Sequence, residues 1–148
     1  MSVSKICVRD VDVISPDESA MIAARRMHSR KVGTLVVVDS EARPVGIVTD
    51  RDLTVRVLAE GRDGATTPIR NVLTRSLRTV HEEDAIEDAL GAMREGPFRR
   101  IPVVDDDGKL VGLVSLDDVL ELLAEEFASI GRLLEAEAPT ELGLNGSP

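Results

Sequence analysis

The sequence predicts a mixed α/β (α+β) fold made of two copies of one strand–helix–strand–strand–helix unit packed together. Three observations carry that expectation: an internal repeat, a core that is almost wholly aliphatic, and short valine-rich runs alternating with stretches of helical periodicity. Gly46 and Gly112, Asp52 and Asp118, Asp39 and Asp105, and Met27 and Met93 are each 66 positions apart. Residues 3–60 fall on 69–126 without a gap, so that "LVVVDSEARPVGIVTDRDL" (35–53) lies on "IPVVDDDGKLVGLVSLDDV" (101–119). A period this long, in only two copies, excludes a solenoid. Apolar residues make up 43% of the 148, with no Trp, no Tyr and only Phe98 and Phe127 as aromatics. Val and Ile suit buried strands, whereas Leu, Ala and Met suit helices.

The elements follow in order. "VSKICVRDVDVIS" opens the first unit and aligns with "IRNVLTRSLRTVH", which sets Cys7 opposite Leu73 and favours a small buried hydrophobe over a reactive thiol. Ser15, Pro16 and Glu18 read as an N-cap, a proline at the first helical position and a capping-box acid. Ala20, Ala23, Ala24 and Met27 then share one helical face, as do Ile86, Ala89, Leu90 and Met93. Leu35–Val38 and Ile101–Val104 are too short for helices and predict buried strands. Polar turns lead from them to Val45–Val48 and Val111–Val114, giving a hairpin in each unit. A helix then starts near Thr49 and near Ser115. The repeats span 1–60 and 69–126, joined by the linker "GRDGATTP" (61–68), with an extended helix over 127–137 and a flexible tail over 138–148. The stripe Val119, Leu123, Phe127, Ile130, Leu134 outlasts the repeat, so intramolecular packing and a contact with another subunit both stay open.

Composition also narrows function. A net charge of −9 argues against a non-specific binder of nucleic acid or anionic membrane. A lone cysteine allows no intrachain disulfide and no thiol-rich metal site. No apolar run approaches the length of a membrane span, and "MSVSKICVRD" has no signal-peptide core, so the cytoplasm is the expected location. His28 and His81 lack companions at metal-ligand spacing, and Asp105–Asp107 reads as turn chemistry, so no metal is expected. No nucleophile–base set or Walker-type loop is evident, which speaks against an enzyme.

The chemistry-bearing pattern is Thr49-x-x-Asp52, repeated as Ser115-x-x-Asp118, each after a glycine and two apolar residues. Alone it is a capping box. At the end of a strand, however, a hydroxyl and free N–H groups favour an anion, and a carboxylate can accept from vicinal ribose hydroxyls. Spacing leaves the cap and the ribose site both open.

The duplicated "hPVVD…G-h-V-[T/S]-x-x-D" unit resembles the CBS domain, and the tandem pair resembles a Bateman module over roughly residues 3–126. The resemblance implies βαββα units related by a pseudo-twofold axis, with two clefts for adenosine-containing ligands: AMP, ADP, ATP or S-adenosylmethionine. It also implies a homodimer, no required cofactor, and a stand-alone regulatory protein acting on an unidentified partner. By this resemblance Asp52 and Asp118 hold ribose hydroxyls, with Thr49 and Ser115 near ribose or phosphate. Ile14, Ser15, Gly33 and Thr34 would supply base contacts to the Asp118 cleft, and Arg99 and Arg100 its phosphate side. Val80, His81 and Ile101 would line the Asp52 cleft, with Gly33, Thr34 and Arg51 toward phosphate. Because "PFRRIP" brings two guanidiniums where "KVGTLV" has Gly33 and Thr34, the Asp118 cleft is expected to be the better nucleotide site. The same arginines could instead be a solvated pair. Val36 stands where the family tends to have the proline seen at Pro102. Three functions follow for comparison: an adenine-nucleotide sensor, a ligand-free structural or interaction module, and an enzyme acting on nucleotides.

Overall fold

The computed structural model describes residues 1–75 and 77–137, so the tail expected over 138–148 lies outside the described residues. Two three-stranded sheets form, one per repeat. The first comprises β1 (Val13–Ile14), β2 (Thr34–Val38) and β3 (Pro44–Thr49) in that order; β1 runs parallel to β2, and β2 antiparallel to β3. The second comprises β4 (Val80–His81), β5 (Arg100–Val104) and β6 (Leu110–Ser115), with the same directions. Helices α1 (Ala20–Arg30) and α2 (Asp50–Leu53) belong to the first repeat, and a π-helical turn, Thr54–Leu58, prolongs α2. Helices α3 (Ile86–Glu95) and α4 (Leu116–Glu137) belong to the second.

The register repeats to the residue. Leu35 pairs with Val48 and Ile101 with Val114, and both hairpins shift register at the equivalent place, Val37/Val38 and Val103/Val104. In each turn an aspartate anchors the backbone: Asp39 accepts from Glu41 and Arg43 N–H at 2.8 and 2.9 Å, and Asp105 from Asp107 and Lys109 N–H at 2.9 and 3.0 Å. These backbone bonds hold both carboxyls below their ordinary range. The acidic run 105–107 is therefore turn chemistry. Gly108 takes φ +78° at a position where the first hairpin has Ala42 at φ +65°.

One helix begins later than the sequence suggests. Ser15–Glu18 closes a separate turn in which Ser15 N–H donates to Glu18 at 2.8 Å. The N-cap of α1 is Ser19, whose Oγ accepts from Ile22 N–H at 3.2 Å. Glu18 takes a second task, a two-pronged ion pair with Arg26 at 2.8 and 3.1 Å. On the face expected to be buried, Ala20, Ala23 and Met27 are in the core while Ala24 is exposed.

The largest departure lies in how the repeats share their first residues. A 3₁₀ turn over Val3–Lys5 leaves its own repeat and seats on the second, where Val3, Ile6 and Cys7 join the core of Val80, Ala89, Ile101 and Val114. The turn Ile69–Asn71 does the reverse, adding Ile69, Val72 and Leu73 to the core of Ile14, Ala23, Leu35 and Val48. Equivalent backbone bonds fix each exchange. Val3 N–H meets Asp84 O at 2.8 Å, and Ile69 N–H meets Glu18 O at 2.8 Å. Val8 and Leu113 exchange both their bonds, as do Thr74 and Ile47. Here lies the reason for the repeated strand glycine. A Cβ on Gly46 would stand 2.8 Å from Thr74 O, and one on Gly112 2.8 Å from Cys7 Sγ. The leader passes too close for any side chain there.

Candidate functional site

Each [Thr/Ser]-x-x-Asp pattern forms a complete capping box. Thr49 N–H donates to Asp52 Oδ2 at 2.8 Å, while Asp52 N–H donates to Thr49 Oγ1 at 3.2 Å. Ser115 and Asp118 do the same at 2.8 and 3.1 Å. The cap leaves chemistry unused. Each hydroxyl serves as acceptor, so its proton is still available, and the second oxygen of each carboxylate has no hydrogen bond among the described residues. All four side chains are only partly buried. The two readings of the motif are thus compatible: the cap fixes a carboxylate and a hydroxyl in place at the rim of a cleft.

The Asp118 cleft has a volume of about 310 Å³. Ser115, Asp118, Leu113 and Arg100 come from the second repeat, and Lys31, Val32, Gly33 and Thr34 from the turn between α1 and β2. Val8, Asp10, Val11 and Asp12 complete it from the stretch leading into β1. Asp10 and Asp12 are held from behind by Arg30, at 2.8 and 2.6 Å. Lys31 closes α1 in the left-handed conformation, φ 58°.

The Asp52 cleft is larger, about 740 Å³. Thr49, Asp50, Arg51, Asp52 and Arg56 come from the β3–α2 junction and helix, Thr74 from the exchanged leader, Pro97 and Phe98 from the turn before β5, and Arg100 from the start of β5. Gly33 and Thr34 also reach it, so these two residues and Arg100 border both clefts. A Cβ on Gly33 would meet Asp50 Oδ2 at 2.9 Å, a contact the exposed Asp50 side chain relieves by turning aside. Arg56 is steadied by the carbonyls of Val72 and Leu73, at 2.8 and 3.1 Å.

Of the residues expected from the sequence, Asp52, Thr49, Arg51, Asp118, Ser115, Gly33, Thr34 and Arg100 border a cleft. The others point elsewhere. Ile14, Val80 and Ile101 are core residues, 1%, 5% and 2% exposed. Ser15 belongs to the turn before α1. His81 turns toward the hairpin, with Nε2 2.6 Å from Asp106 and Nδ1 accepting from Glu83 N–H. Arg99 donates to Met93 O at 3.3 Å and borders neither cleft. Of the two guanidiniums expected beside Asp118, Arg100 borders that cleft and Arg99 does not, while Arg51, Arg56 and Arg100 all border the Asp52 cleft. Sequence reasoning missed Val8 and Thr74, although their shared offset was available. Arg56, one helical turn after Asp52, was also within reach.

Cys7 is packed against Gly112, and burial raises its thiol pKa, so it offers no ready thiolate. Among the described residues no cluster of His, Cys, Asp and Glu could hold a metal, and no helix is long and apolar enough to cross a membrane.

Fold and clefts together define a tandem pair of βαββα units with one cleft per Asp-capped helix, each cleft walled by both repeats. Comparison with known proteins agrees. The CBS domain profile matches residues 3–59 and again 69–125, and the chain belongs to the CBS domain family. It is 36% identical over 118 residues to the CBS domain-containing protein YhcV of Bacillus subtilis, covering 80% of this chain and 82% of that one. It is 34% identical over 122 residues to the uncharacterized protein MK0525 of Methanopyrus kandleri, covering 82% of this chain and 62% of that protein's length. Among solved structures, the CBS domain pair of protein MJ0100, in complex with 5′-methylthioadenosine and S-adenosyl-L-methionine, superposes with a TM-score of 0.74 at 26% identity, covering 85% of this chain and 98% of that one.

Proposed function

We propose that this CBS pair is a regulatory sensor of adenine nucleotides, of the AMP, ADP and ATP class, which signals to a partner protein through a homodimer. One observation carries the reading: both Asp carboxylates are locked by their caps with one oxygen free at a cleft, the arrangement a ribose diol requires. The adenosine derivatives in the related MJ0100 pair support the ligand class. A homodimer is supported by the exposed apolar side chains of the helices, Leu58, Leu120, Leu123 and Phe127 among them, which light scattering would show paired or free.

The test uses an accident of composition. Without Trp or Tyr the protein is nearly transparent where nucleotides absorb. Purified protein should carry, or take up on titration, a ligand absorbing near 260 nm that passes a filter after denaturation and is identified by mass. If no ligand copurifies and neither adenine nucleotides nor S-adenosylmethionine bind, the ligand-free interaction module replaces this reading.

A further inference from the structure

We infer that the two clefts divide the ligand class between them: the Asp52 cleft takes a phosphorylated adenosine, and the Asp118 cleft takes an adenosine derivative without phosphates. This rests on the reading that the clefts bind adenosine compounds at all.

Charge and size lead to the division. Around Asp52 stand three guanidiniums, Arg51, Arg56 and Arg100, against the carboxylates of Asp50 and Asp52. Three guanidiniums against two carboxylates leave this cleft with one net positive charge. Guanidiniums suit phosphate oxygens, which they bind in pairs of N–H bonds. Around Asp118 the balance reverses, with Asp10, Asp12 and Asp118 facing Lys31 and Arg100. Arg30 offsets Asp10 and Asp12 from behind without bordering the cleft. With Arg30 counted, the charges here balance, so a phosphate chain entering would meet no net cationic attraction, whereas a neutral nucleoside meets Val8, Val11, Val32 and Leu113. The volumes agree: about 310 Å³ is at the lower end of ligand pockets and about 740 Å³ toward the upper. Arg100 alone among the cations borders both, so a phosphate held at Asp52 draws it from the Asp118 side.

The experiment is calorimetric titration of the intact chain with ADP and with 5′-methylthioadenosine, each alone and each in the presence of saturating amounts of the other. Two variants accompany it. Arg51→Glu alters an exposed side chain outside the cap, and Asp118→Asn keeps an acceptor for Ser115 N–H. The expected result is simultaneous binding of both ligands. Arg51→Glu should weaken ADP about tenfold and leave methylthioadenosine unchanged, and Asp118→Asn should do the opposite. Raising salt from about 50 to 500 mM should weaken ADP alone. Mutual competition, loss of ADP in Asp118→Asn, or binding of only one of the two ligands overturns the division while leaving the sensor reading intact. If neither binds the wild-type chain, the sensor reading itself has failed.

Discussion

Replacing Gly46 with alanine tests the exchanged leaders directly. The added Cβ would stand 2.6 Å from Leu73 Cδ1 and 2.8 Å from Thr74 O. Leu73 can swing aside. Thr74 cannot do so cheaply, because its carbonyl and N–H pair with Ile47 at 3.1 and 2.9 Å. Overpacking of this kind costs about 1–3 kcal/mol, offset by about 0.4–1 kcal/mol from the stiffer unfolded chain. The net loss of about 1–2 kcal/mol corresponds, in a chain of this size, to a midpoint lower by roughly 2–8 °C. Far-ultraviolet circular dichroism melts are the assay, since tryptophan fluorescence is absent. Gly91→Ala is the control, because a Cβ there meets nothing within 4 Å in the middle of α3; it should gain about 0.5–1 kcal/mol. Thr74 also borders the Asp52 cleft, so Gly46→Ala should weaken any ligand bound there. A Gly46→Ala protein as stable as the wild type would refute the exchange as the reason for this glycine.

Two further outcomes follow from single residues. Ala42→Gly should raise the melting midpoint slightly, because a left-handed alanine costs about 1–2 kcal/mol and glycine's added chain freedom returns only about 0.5–1 kcal/mol. The Arg26 bonds hold the Glu18 carboxyl below its ordinary pKa. That stabilisation is fully present above the unfolded value near pH 4.3 and is lost as pH falls through the lower folded value. Melts from about pH 6 to 3 should therefore show a steeper acid decline in the wild type than in Glu18→Gln.

Most of the fold was legible because the repeat is nearly exact in its apolar positions. Val36, Val37, Val103 and Val104 sit in strands as their pattern requires, and the aspartates 39 and 105 anchor their turns. Helix starts were less legible: Ser15 and Ser19 are both competent caps, and only the turn closed by Glu18 decides between them. The leader exchange was not legible at all. An alignment offset shows which residues are equivalent, not which equivalent core they enter, and Val3 and Ile69 would satisfy either. For the site, the repeated Thr49/Asp52 and Ser115/Asp118 pairs located both clefts. The walls escaped because Val8, Asp10, Val11 and Thr74 lie far in sequence from the motif whose cleft they border. Arg99 illustrates the remaining gap, since neighbouring arginines point apart along a strand's approach and only Arg100 faces the clefts.

The central claim is that the two capped aspartates hold ribose. It is tested most directly by equilibrium binding of adenine nucleotides and 5′-methylthioadenosine to the double variant Asp52→Ala/Asp118→Ala. Loss of the two cap acceptors should cost about 0.5–2 kcal/mol at each helix, leaving a folded protein by circular dichroism. Each lost charged hydrogen bond to a ribose hydroxyl should cost about 1.5–3 kcal/mol, so affinity for every adenosine ligand should fall by at least about tenfold. A folded double variant that binds them as tightly as the wild type would show that Asp52 and Asp118 are helix caps and nothing more.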